Sequence, residues 1–126
     1  YAIVLVGVNE KQKNTLPGNI IGISGTDNTA ELAEIYTAAD VFVNFTYEDN
    51  YPTVNLEAQA CGTPVITYKT GGSPESTDPL GVLPQGDVNG AIKLIEKSDT
   101  LKILPPPEKK AQYGKYIKLY EELTGK

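Results

Sequence analysis

Short runs of β-branched and aromatic residues alternate along the chain with segments whose apolar residues recur every three or four positions. Strand-type runs cover Ala2 to Gly7, Asn19 to Ser24, Asp40 to Phe45, Pro64 to Tyr68 and the shorter Gly81 to Pro84. The third and fourth are rich in Val, Ile and Phe without clean polar alternation, the pattern of a strand buried on both faces. Between the second and third, Thr29 can cap a helix running through Ala39, with Leu32, Ile35 and Tyr36 on one face. Thr53 to Cys61 reads as the next helix, opened by Pro52 and stopped by Gly62. Asp87 to Lys97 is a third, with Asp87 as N-cap and Ile92 and Ile95 directed at the sheet.

Alternating strands and helices predict an α/β unit with a Rossmann-like parallel sheet flanked by helices over residues 1–100. The triplet Pro105-Pro106-Pro107 can continue neither a ladder nor a helix, so 101–126 reads as a Pro-rich linker and a last helix. In that helix Tyr113, Tyr116, Ile117 and Tyr120 form a stripe, more consistent with packing back on the domain than with a ligand site. In doubly wound sheets ligands sit at the carboxyl ends of the strands. The turns after Phe45 and Tyr68 are therefore where chemistry is expected.

Composition narrows that chemistry. The chain has no His, Met or Trp, and all eleven of its basic residues are Lys. Without His there is no imidazole base, no Ser-His-Asp or Cys-His relay and no His-ligated metal. Without Arg there is no guanidinium fork for phosphate or carboxylate. The single Cys61 cannot form an internal disulfide or a thiolate cage, and with no base nearby it reads as a small buried residue, so no metal site is expected. Ala2 to Val6 is too short an apolar run for a signal peptide or a membrane span, and a soluble segment is expected. A sequence that starts at Tyr1 and contains no Met is expected to be a processed product or a piece of something larger.

The net charge of −5 is unevenly spread. Between Asn14 and Ile92 ten acids face one base, Lys69, whereas the last third is Lys-rich. No basic stripe matches a nucleic-acid backbone, and nucleic acid is rejected as a partner.

The segment from Phe45 to Ala58 runs from a strand end through a turn into a helix. Free N–H groups at that helix start, within the stretch Asn50-Tyr51-Pro52-Thr53-Val54 in which Pro52 itself offers none, make an anion site in an acidic domain without Arg. At about 1.5 Å rise per residue, Glu57 lies roughly 7–8 Å along the axis from those amides. That separation suits the ribose of a nucleotide whose phosphate sits at the helix start, and a carboxylate accepts two hydrogen bonds from a vicinal diol. Glu48 and Asp49 precede the helix and would flank the anion. The plainer alternative is that Asp49 only caps the helix and Glu57 is a solvated acid. In Lys69-Thr70-Gly71-Gly72, Gly71 and Gly72 answer either to positive φ or to close backbone approach. Lys69 is the one local cation, equally well read as solvated.

The run from Ala39 to Glu75, above all Leu56-Glu57-Ala58-Gln59-Ala60-Cys61-Gly62-Thr63-Pro64-Val65-Ile66, resembles the signature of family 4 retaining glycosyltransferases. The resemblance covers roughly residues 2–97 and implies the C-terminal, donor-binding half of a GT-B fold. It implies a Glu-x7-Glu element that binds a nucleotide-diphosphate sugar, of UDP or GDP type, as substrate rather than cofactor. The second Glu falls on Glu57, which would hold the ribose hydroxyls. The first falls on Asp49, with Glu48 beside it, so either acid can face the donor sugar as the catalytic-centre acid. Tyr51 to Val54 would meet the diphosphate, and Lys69, Gly71 and Gly72 would border the cleft.

The family also implies an acceptor-binding N-terminal domain, with a glycan or lipid-linked glycan as acceptor in bacterial polysaccharide or glycoconjugate synthesis. It implies a cytoplasmic enzyme, with peripheral association at the inner membrane face left open, and transfer that this chain alone does not perform. Two other readings stand beside it: a Rossmann-like binding or scaffold module, and a GT-B-like nucleotide-sugar epimerase. The epimerase relies on His and Arg, and the absence of both counts against it.

Overall fold

The computed structural model describes residues 1–105, 117–119 and 121–125. Two parallel sheets carry the fold. Strands β1 (Ile3–Val6) and β2 (Ile20–Ile23) pair in register Ile3 to Ile20. Strands β3 (Phe42–Asn44), β4 (Val65–Tyr68) and β5 (Val82–Leu83) form the second sheet in the order β3-β4-β5. Helices α1 (Glu10–Asn14), α2 (Thr29–Ala38), α3 (Thr53–Ala60) and α4 (Val88–Glu96) fall between or after the strands.

Burial centres on β4, whose four residues are all buried. On one side Ile66 and Tyr68 pack with Leu83, Ala91 and Leu101; on the other Val65 packs with Tyr36 and Ala58. The expectation of burial on both faces therefore holds for β4 but not for β3, where Val43 is exposed; among the described residues that strand pairs on one edge only, with β4, and so has fewer side chains beside it. Along β1, Ile3, Val4, Leu5 and Val6 are each between 39% and 45% exposed.

Two local expectations are corrected, and one helix is added. Asn28, not Thr29, is the N-cap of α2: in extended conformation, its side chain accepts the Glu31 N–H at 2.9 Å. Ile92 is exposed, and α4 instead turns Ala91, Leu94 and Ile95 to the core, a set spaced i, i+3 and i+4. Helix α1 was not anticipated, although Asn9 and Gln12 form a reciprocal capping box, a signature visible in their spacing. Elsewhere Asp87 caps α4 by accepting the Gly90 N–H, and Gly62 follows α3 with φ +82°. Of the last helix, residues 117–119 and 121–124 are helical, with Ile117, Leu119 and Leu123 exposed. Tyr113, Tyr116 and Tyr120 lie outside the described residues.

Candidate functional site

The turns that leave β3 and β4 are locked together at their carboxyl ends. Thr70 Oγ1 donates to Thr46 O at 3.0 Å, and Gln85 Nε2 donates both to Tyr47 O at 3.0 Å and to Thr70 Oγ1 at 2.9 Å. The tyrosine ring of Tyr68 stacks on Phe45 and meets Tyr47 edge-on. Gly71, at φ +51°, and Gly72 lie directly against the preceding turn. A Cβ on Gly71 would sit 1.8 Å from Asp49 O, and one on Gly72 would sit 2.0 Å from Asn50 O. Both reasons anticipated for this glycine pair are thus present, and no side chain fits at either place. Asp49 Oδ1 accepts the Tyr51 N–H at 3.1 Å, so the aspartate shapes the turn before the helix rather than capping the helix itself.

Pro52 opens α3 without a side-chain cap and with no N–H of its own. The Asn55 N–H is donated to Pro52 O at 3.2 Å. Among the described residues the Thr53 and Val54 N–H groups have no acceptor, so of the anticipated stretch these two amides are available to an anion. Thr46 Oγ1 and Ser73 Oγ, beside the same turns, are buried without a hydrogen-bond partner among the described residues. An unpaired buried hydroxyl costs roughly 1–3 kcal/mol, which a bound polar group would offset.

The face of α3 toward the sheet is polar. Asn55 and Gln59 flank Ala58 on it, and all three are buried. Asn44 Nδ2 donates to Asn55 Oδ1 at 3.0 Å, and Asn55 Nδ2 donates to Ser76 Oγ at 2.9 Å. Gln59 Nε2 donates to Ser76 O at 2.6 Å, and Gln59 Oε1 accepts the Leu104 N–H at 2.9 Å. This network fixes the helix start relative to β3 and to the 3₁₀ turn Ser73–Ser76. The sequence reading did not single out these residues. The only available signal was polar side chains at i and i+4 on a helix that also needed a buried face.

Glu57 projects from the other side of α3, where that helix meets α2. It lines a cavity of about 450 Å³ together with Thr26, Asn28, Thr29, Leu32, Ala33, Tyr36, Ala60 and Cys61. Tyr36 Oη donates to Glu57 Oε2 at 3.2 Å. Burial, and then the Glu57 charge and hydrogen bond, push the Tyr36 hydroxyl up to about 12, so it stays protonated. Of the anticipated residues, Asp49, Asn50, Gly71 and Gly72 come together at the strand ends, and Tyr51 to Val54 form the helix start. Glu57 lies in the α2–α3 cavity. Glu48 and Lys69 are exposed. Cys61 is partly buried at the cavity wall.

A family model described as glycosyl transferases group 1 matches residues 3–119. The chain belongs to the group 1 glycosyl transferases. A D-inositol 3-phosphate glycosyltransferase of Corynebacterium jeikeium is 33% identical to it over 138 residues, covering 93% of this chain and 33% of that protein. Proteins of the same name from Streptomyces bingchenggensis and Segniliparus rotundus are 52% and 47% identical over 44 and 45 residues, about a third of this chain and a tenth of each relative. The chain thus spans about a third of the length of the Corynebacterium jeikeium protein. As a group 1 glycosyl transferase it belongs to a family of transferase enzymes, and its helix-flanked parallel sheets are the Rossmann-like α/β arrangement consistent with a GT-B domain. No helix among the described residues of this glycosyl transferase chain is long and apolar enough to cross a membrane.

Proposed function

We propose that the chain is the donor-binding part of a retaining glycosyltransferase and takes a nucleoside-diphosphate sugar of UDP or GDP type. The Thr53 and Val54 amides receive the diphosphate at the start of α3, Glu57 accepts the ribose hydroxyls, and Asp49 or Glu48 faces the sugar. Gly71 and Gly72 keep the cleft border close to that turn, with Lys69 as a nearby cation. As the glycosidic bond breaks, negative charge grows on the leaving diphosphate, and amides fixed at a helix start stabilise it without reorganising. The observation that carries the reading is the cavity that Glu57 lines on a helix whose first amides are unpaired.

The acceptor site is assigned to a further domain of a protein of the relatives' length, so sugar transfer by this chain alone is not expected. The relatives' names make D-inositol 3-phosphate the first acceptor to try, ahead of the glycan or lipid-linked glycan that the resemblance alone implied. The setting proposed for the whole enzyme is the cytoplasm.

Titration of the chain with UDP, GDP and their sugar conjugates, followed by NMR to reach millimolar affinities, tests the reading. Glu57→Ala is expected to weaken binding by roughly tenfold or more, the worth of hydrogen bonds to a charged group. Unchanged affinity would remove the ribose assignment. A chain that binds none of these ligands would favour the scaffold reading.

A further inference from the structure

Tyr36 is held from three sides. Its ring meets Phe42 edge-to-face with centroids 5.3 Å apart, Thr63 Oγ1 donates to its carbonyl oxygen, and its side chain is buried on the β4 core. A residue fixed in this way leaves its hydroxyl little choice of direction, and that hydroxyl points at Glu57 Oε2. Glu57 is exposed on α3, and its carboxylate has no other hydrogen-bond partner among the described residues. A glutamate side chain has several rotatable bonds, and free in water it would sample many directions.

We propose that Tyr36 is a positioning residue that, by donating to one carboxylate oxygen of Glu57, turns the other toward the vicinal diol of a nucleotide ribose in the α2–α3 cavity. This rests on the assignment of Glu57 to the ribose. Tyr36 touches no ligand in this scheme. It acts by removing the orientational freedom that binding would otherwise have to remove, the general route by which preorganisation raises affinity. The phenol, ordinarily near 10 and pushed up to about 12 by burial and then by Glu57, remains a donor at and well above neutral pH. The bond also leaves Glu57 Oε1 and its lone pairs free, enough for two hydroxyl donors.

The experiment compares UDP and GDP with their 2′-deoxy counterparts on the wild-type chain, Tyr36→Phe, Glu57→Ala and the double variant, by NMR titration with far-UV circular dichroism to confirm folding. The wild type is expected to prefer the ribonucleotides by roughly tenfold or more. Tyr36→Phe should lower that preference at least threefold, weakening the 2′-deoxy ligands, which keep only the 3′-hydroxyl, less than the ribonucleotides, and it should have no further effect once Glu57 is Ala. A purely structural tyrosine would weaken both ligand classes alike and add to the Glu57 effect. If Tyr36→Phe keeps the full ribose preference, the positioning role is overturned while the Glu57 assignment stands. If the wild type shows no ribose preference, or no saturable binding, the Glu57 assignment fails and this inference fails with it.

Discussion

Replacing Gly72 by alanine asks whether the two turns at the carboxyl ends of the sheet are held in contact. At Gly72 φ is −86°, open to any residue, so strain can come only from the neighbour. That neighbour is backbone: the new Cβ would stand 2.0 Å from Asn50 O and 3.1 Å from its carbonyl carbon. Ordinary contact begins near 3.4 Å, so one turn must retreat by more than an ångström. Overpacking of this kind costs about 1–3 kcal/mol.

Gly62 supplies the control, with φ +82° and nothing within 4 Å of the built Cβ. Alanine there meets only the left-handed penalty, about 1–2 kcal/mol. Roughly 0.4–1 kcal/mol of that is offset by the reduced freedom of the unfolded chain. Gly71 combines both effects, at φ +51° and 1.8 Å from Asp49 O, and its alanine variant should lose about 2–4 kcal/mol. Urea denaturation read by tyrosine fluorescence suits a chain with eight Tyr and no Trp. The expected order of loss is Gly62, then Gly72, then Gly71. Should Gly72→Ala cost no more than Gly62→Ala, the turns are not in contact in solution and the close-approach argument is refuted.

Two further substitutions probe the support beneath the site. Asn55→Ala strands the Asn44 amide and opens a void under α3, so urea denaturation should show a loss of about 2–4 kcal/mol. That should exceed the loss from Leu56→Ala, at a half-buried neighbour; the reverse order would show the polar network to be dispensable. Asp78 is buried and accepts the Lys102 N–H at 2.7 Å and the Leu80 N–H at 3.1 Å, and the Lys102 bond above all holds its carboxyl below the ordinary aspartate range. A depressed folded-state value contributes stability that is complete above the unfolded pKa of about 3.9 and is lost as pH falls through the folded one. Asp78→Asn should therefore lower the melting temperature at neutral pH and flatten its decline on acidification. Equal acid slopes in the two proteins would discount this carboxylate.

The legible parts of the molecule were those governed by local pattern. Strand β4 announced itself as a run of β-branched and aromatic residues without clean polar alternation, α3 by Pro52 before it and Gly62 after it, and the glycine pair by its position after a strand. Local pattern failed where a partner distant in the chain decides the outcome. Tyr36 was placed on the correct face of α2, but nothing in its spacing showed that its hydroxyl meets Glu57, 21 residues away. Asn55 and Gln59 defeated the usual reading because hydrogen bonds, not apolarity, make their burial tolerable. Strand β3 looked as apolar as β4, and only the number of its neighbours separates the two. Of the candidate site, the residue types and their order along the chain were readable. Their division between a strand-end cluster and an interhelical cavity was not.

The exposed β1 strand has a consequence for handling the protein. Ile-Val-Leu-Val carries no charge and no proline, and among the described residues its one hydrogen-bonded neighbour strand is β2. Sheet edges of this composition are templates for pairing between molecules, which natural proteins usually blunt with lysine, proline or a covering element. A chain produced on its own thus carries a self-association hazard at the end of the molecule farthest in sequence from its Lys-rich tail. Solubility, more than folding of the β4 core, will limit the concentrations at which its ligands can be measured.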